Sequence, residues 1–118
     1  FSVRREARKG IFDEETLREY TGWMTADAAG PAFLLRFYAD YRVAPRRELA
    51  KALANIRRPV AVIWGERDIF LPVRTALELA AAMPDAELSL IEGAGHFIME
   101  ERPADVLRAL EKLLARPA

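Results

Sequence analysis

The stretch IEGAGHFIMEERP at positions 91–103 contains His96, the only histidine among 118 residues, close behind Gly93 and Gly95 and ahead of Pro103. Imidazole is the side chain whose ordinary proton affinity lies near neutral pH, so this chain holds that chemistry at one place. A histidine works as a general base when an acid holds one ring nitrogen and leaves the other to take a proton. The acid nearest in kind is Asp68, in GERDIFLP at 65–72. Asp68 follows the apolar run VAVIW (60–64) by four residues, and His96 follows ELSLI (87–91) by five. If both runs are parallel strands, the two loops open on the same carboxyl edge, where parallel sheets hold their ligands. Taken alone, Asp68 reads first as an ordinary Asx-turn residue, and a lone histidine more commonly packs a loop. Their pairing at matched strand ends is what points to proton transfer.

The elements that must position them begin at Pro59. VAVIW is a continuous β-branched run, the pattern of a parallel strand buried on both faces. Val73–Met83 reads as a helix with Val73, Leu77 and Ala80 on one side, closed by Pro84. ELSLI alternates, placing Leu88 and Leu90 on one face, and reads as a strand nearer the sheet edge. Pro103 suits the first turn of a last helix whose Val106, Leu107, Leu110, Leu113 and Leu114 form one apolar stripe. The order is therefore β-α-β-α with two parallel strands and a right-handed crossover. Two parallel strands are not a stable sheet alone, so further strands are expected, from a missing N-terminal half in cis or as a partner chain. The chain opens on Phe1 rather than Met, which fits the removal of something upstream.

Residues 1–58 follow a different grammar, helices only. Asp13 is the expected cap of a helix over about 14–24, with Phe12 and Leu17 as a hydrophobic staple around it. Gly30 and Pro31 open a second helix carrying Leu34, Phe37, Tyr38 and Tyr41 at three- and four-residue spacing. Pro45 opens a third, with Leu49, Leu53 and Ile56 turned inward. Glycines at 93 and 95 are expected to permit the backbone path that turns His96 across the sheet edge.

Composition narrows the function. Eighteen basic residues balance eighteen acidic ones, so no excess field draws nucleic acid or an anionic membrane surface. Arg4, Arg5, Arg8 and Lys9 cluster at the front without interleaved aromatics, as on a solvated helix face. The absence of cysteine excludes disulfides and thiol catalysis, and a single histidine argues against a metal site. No apolar run approaches the roughly 18 to 20 residues of a membrane helix. A soluble, cytoplasmic setting is expected.

PVAVIWGERDIFLP and AELSLIEGAGHFIMEERPADVLRALEKLL together resemble the last third of the α/β-hydrolase fold, over residues 59–115. Residues 13–58 resemble the end of the helical lid inserted before it in epoxide hydrolases, dehalogenases, carbon-carbon bond hydrolases and lidded esterases. The resemblance implies a lid over 1–58 and the C-terminal part of the hydrolase core over 59–118. It implies that Asp68 is the triad acid, that His96 is the general base, and that Phe97 borders the pocket. It implies neither cofactor nor metal. GPAFLLRFYADYR (30–42) resembles the epoxide-hydrolase lid helix that offers a tyrosine hydroxyl, a part that Tyr38 or Tyr41 would play. Phe37 belongs to the same aromatic surface as Trp23 and Phe33, most of which is expected to pack lid helices onto the core, with a part that would face the pocket and make it apolar.

The departure from that family is the nucleophile, which stands on an elbow between a strand and a helix upstream of the acid. The serines here are Ser2, with no strand before it, and Ser89, inside a strand. Neither stands on an elbow. The expectation is a hydrolase of a small, apolar ester, epoxide, carbon-carbon or carbon-halogen substrate whose nucleophile lies outside this chain, which alone would be inactive. The rival expectation is a binding module that keeps the scaffold without its nucleophile and recruits a partner along the edge of the strand at Val60–Trp64.

Overall fold

A computed structural model of the chain describes residues 10–40 and 51–117. It divides into two compact units, Phe1–Pro45 and Arg46–Ala118. The front basic cluster, Tyr41, and the expected start of the third helix at Pro45 with Leu49 lie outside the described residues.

In the first unit, helix α1 (Glu14–Thr25) begins where the sequence predicts. Asp13 is extended, and its carboxylate accepts from the Thr16 amide at 2.7 Å, satisfying one of the donors a helix start leaves open. Glu14 and Glu15 add negative charge at the positive end of the helix. Phe12, just before the cap, is buried and meets Tyr20 edge to face at 5.5 Å. Helix α2 (Ala29–Asp40) carries Gly30 and Pro31 in its first turn. Its Phe33 packs edge to face on Trp23 at 6.1 Å, stacks with Phe37 at 6.1 Å, and Tyr38 meets Phe37 at 5.6 Å.

The second unit holds strands β1 (Val60–Gly65) and β2 (Ala86–Ile91), helix α3 (Val73–Ala81), a short α4 (Ile98–Glu101) and α5 (Pro103–Leu114). The strands pair in parallel from Val60↔Ala86 to Gly65↔Ile91, so they end side by side. Pleating sends alternate residues to opposite faces. Val60, Val62, Trp64, Ala86 and Leu88 pack with Ala76, Leu79 and Met83 on the α3 side, and Leu53 and Ile56 join that core as predicted. The opposite face meets α5, where Lys112 pairs with Glu87 at 2.7 Å and Arg116 pairs with Asp85. Helix, sheet and helix thus form three layers around two strands.

Three apolar assignments from the sequence are corrected. In α3 the residue against the sheet is Ala76, fully buried, whereas Leu77 is exposed. A side chain as small as alanine lets the helix backbone approach the strands closely. In β2, Leu88 joins the core but Leu90, on the same face, is exposed near the strand end. The α5 stripe divides into two rows. Val106, Ala109 and Leu113 are half-buried, while Leu107, Leu110 and Leu114 are exposed, because a sheet of two strands covers one row of a helix.

Pro103 occupies the first turn of α5, and Arg102 before it (φ −142°, ψ 55°) lies outside the helical region that a following proline disfavours. α4 was not anticipated from the sequence, being too short to show a period.

The last residue of β1, Gly65, is glycine for a steric reason. A Cβ built there would overlap the carbonyl oxygen of Gly95 and lie 2.7 Å from that of Ala94, backbone atoms that have little room to retreat. Gly65→Ala should therefore destabilise the protein by about 1–3 kcal/mol through overpacking. Urea unfolding checks this, and an unchanged midpoint would show that the 94–95 segment gives way freely.

Candidate active site

Because β1 and β2 end in register, their following loops emerge together, and the backbone joins them. The Glu66 amide donates to Ile91 O at 3.1 Å, and the Arg67 amide donates to Ala94 O at 2.8 Å. Gly93 N donates to the Glu66 carboxylate at 3.2 Å. Gly93 itself has φ +72°, a left-handed conformation that favours glycine. The turn that carries His96 is in this way pinned to the turn that carries Asp68.

Asp68 uses its two carboxylate oxygens differently. Oδ1 accepts from the amides of Phe70 and Leu71 at 2.8 and 2.9 Å, and Oδ2 lies 2.8 Å from His96 Nδ1. One side chain thus both caps its own turn and meets the imidazole. Trp64 Nε1 donates to Leu71 O at 3.1 Å and anchors the far side of the same loop.

Burial pushes the Asp68 carboxyl toward higher pKa, but the hydrogen bond from His96, the amides of Leu71 and Phe70, and the electrostatic attraction of His96 outweigh it. The net result is a value below the ordinary aspartate 3.8. Asp68 is then ionised near neutrality and can only accept, so Nδ1 carries the proton and Nε2 is the nitrogen left to act as a base. Exposure divides the pair usefully. The Asp68 side chain is 5% exposed and the imidazole 35%, which shields the acid while the ring reaches solvent.

Two phenyl rings hold the imidazole. Phe70 meets it edge to face at 4.9 Å and Phe97 at 5.3 Å. Phe97 was singled out from the sequence. Phe70 was missed, although its place two residues after Asp68 puts it on the same turn. Phe37 and Tyr38 sit in the first unit, both exposed, on the aromatic row of α2. Ser89 lies within β2 and lines the groove against α5 with Arg108 and Lys112, away from a strand-to-helix turn. Among the described residues no three His, Cys, Asp or Glu side chains could hold a metal ion, and no helix is long and apolar enough to cross a membrane.

Glu101, on α4, completes the loop. Its Oε2 accepts from the Gly95 amide at 2.8 Å and its Oε1 from the Phe97 amide at 3.2 Å, bracketing His96 from behind. Nothing in the sequence marks it, since its partners are main-chain amides. Arg102 then ties the loop to α5, donating to Glu92 O at 3.1 Å and to Asp105 at 2.6 Å.

The sequence model of the alpha/beta hydrolase family matches residues 1–109. The chain belongs to the alpha/beta hydrolase family. A protein of Mycobacterium tuberculosis without assigned function is 36% identical over 80 residues, covering 68% of this chain and 24% of its own length. The monoacylglycerol lipase ABHD6 of Bos taurus is 33% identical over 70 residues, covering 59% of this chain and 21% of its own. Among solved structures, an alpha/beta hydrolase from a lagoon-sediment metagenome in Morocco superposes with a TM-score of 0.61 at 28% identity, covering 84% of this chain and 43% of that one. The chain thus spans about a quarter of the length of the curated relatives it matches.

The lowered pKa of Asp68 has a direction in stability. A carboxyl whose folded value lies below its unfolded value contributes stability that is complete above about pH 3.8 and is lost as pH falls through the folded value. His96→Ala removes one of the bonds that lower it, so the Asp68 titration followed by carboxyl carbon NMR should move upward. A titration at the same pH with and without His96 would mean that the imidazole does not act on the acid.

Proposed function

We propose that this chain is the acid-and-base portion of an alpha/beta hydrolase that cleaves small apolar carboxylic esters through a serine supplied from outside it. One observation carries the reading, the 2.8 Å contact between Asp68 Oδ2 and His96 Nδ1 at the carboxyl edge of two parallel strands. In the reaction, His96 Nε2 takes the proton of the nucleophile's hydroxyl as its oxygen attacks the ester carbonyl. The resulting imidazolium is stabilised by Asp68, and its proton passes to the departing alkoxide when the carbon-oxygen bond breaks. A water molecule, deprotonated by the same nitrogen, then releases the acid and restores the serine. The 33% identity to a protein named a monoacylglycerol lipase supports an ester over an epoxide or carbon-halogen bond.

In this reading residues 1–58 are the end of a lid, whose last residues Leu53 and Ile56 already pack on the core, and residues 59–118 are the end of the core. Phe97 borders the pocket, and Phe37 and Tyr38 give the lid an exposed aromatic surface with one hydroxyl. The exposure of Phe37 and Tyr38 supports surface available to a substrate.

The test uses the whole hydrolase that contains this chain, with p-nitrophenyl butyrate as the probe. His96→Ala should abolish measurable turnover, and Asp68→Asn should lower kcat by about 10³- to 10⁴-fold while the protein stays folded, because the imidazole is then held in the wrong tautomer. Near-normal rates in both variants would end the proposal and favour a binding module on this scaffold.

A further inference from the structure

The loop that carries His96 is shaped by a carboxylate that takes no part in the proposed proton transfer. Glu101 reaches back from α4 and accepts the two amides on either side of His96, those of Gly95 and Phe97. The arrangement works like a capping box closed over the start of a helix, except that the glutamate sits four residues beyond the amide it caps. Space for it is made at Gly95. A Cβ there would stand 2.8 Å from Oε1 and 3.3 Å from Oε2 of Glu101, so any side chain displaces the carboxylate. Gly95 has no left-handed φ, unlike Gly93, so its lack of a side chain serves room for Glu101 rather than backbone path.

The consequence for the base is geometric. His96 is anchored at its ring by Asp68, and its main chain is fixed on both sides by one side chain. With the carboxylate in place the Cα–Cβ direction of His96 is set before the imidazole meets Asp68. Without it, two amides of a half-buried turn lose their acceptor and the turn must reorganise to find others.

We propose that Glu101 is a positioning residue for His96, acting through the Gly95 and Phe97 amides, with Gly95 required as the space it occupies. The inference rests on the reading of His96 as the general base. It concerns the alignment of that base and not the binding of substrate.

The experiment compares the whole hydrolase with its Glu101→Ala, Glu101→Gln, Gly95→Ala and His96→Ala variants on p-nitrophenyl butyrate, with amide hydrogen exchange on each. Glu101→Ala should lower kcat by about 10- to 100-fold, the scale of a displacement near 1 Å at a reacting group, with KM changed less than about two-fold. The Gly95 and Phe97 amides should lose exchange protection while those of β1 and β2 keep theirs. Glu101→Gln, which keeps an oxygen acceptor without the charge, should recover part of the loss. Gly95→Ala keeps every hydrogen-bonding group and should still lower kcat, and the Gly95→Ala/Glu101→Ala double variant should be no worse than Glu101→Ala, since both changes remove the same contact. If Glu101→Ala does not fold, Gly95→Ala and Glu101→Gln decide.

Loss of activity in His96→Ala together with unchanged kcat in the Glu101 and Gly95 variants would overturn this inference and leave the proposed function standing. Full activity in His96→Ala would remove the base itself, and the role of Glu101 with it. A fall in kcat matched by an equal loss of β1 and β2 protection would show that Glu101 acts only on global stability, which also overturns the inference.

Discussion

The carboxylate of Asp68 is shared, and the rest of the site depends on that sharing. One oxygen accepts two backbone amides of its own turn, and the other accepts from His96. A carboxylate with a single partner could rotate about its terminal bond. With three donors in two directions it has one orientation, and the imidazole inherits it. The same three donors offset the cost of burying a charge, which is what keeps the acid ionised in a place that water scarcely reaches.

That arrangement is possible because two strands finish level with one another. The register that ends on Gly65↔Ile91 brings residues distant in the chain to one edge, and the Arg67–Ala94 and Glu66–Gly93 contacts hold the emerging turns at a fixed separation. Behind the edge, the work is done by close approach. Ala76 brings α3 down on the sheet, and Gly65 lets the second turn lie against the first. Small residues set these distances, and larger ones fill what remains.

The pairing of Asp68 and His96 was legible because strand ends can be counted in sequence, and two strands of a parallel pair must open the same way. The helix starts at Asp13 and Pro103 were legible because capping chemistry is local. Other features were not. Ala76 carries too little apolar weight to mark a buried row, so the pattern favoured Leu77. The α5 stripe gave no sign that two strands would cover one of its two rows. Glu101 was invisible for a different reason, since its partners are main-chain amides and no residue type announces them. In a stretch as charged as MEERP it reads as surface. Gly95 was noticed, but the reason assigned to it was freedom of the backbone, whereas its neighbour Gly93 has that role and Gly95 provides space.

The bonds that join the two turns have a consequence for what the sequence around them is free to become. They run from amides to carbonyls and carboxylates, and the side chains of Ile69, Leu71 and Met99 on the neighbouring segments are exposed. The support of His96 is thus written in main-chain bonds, a few carboxylates and the glycines that give them room, and the exposed rim stands outside it. The rim can be rewritten for size, polarity or shape while the imidazole stays where it is. On the proposed function, substrate preference and the alignment of His96 are separable, since the first rests on the rim and the second on the turns beneath it.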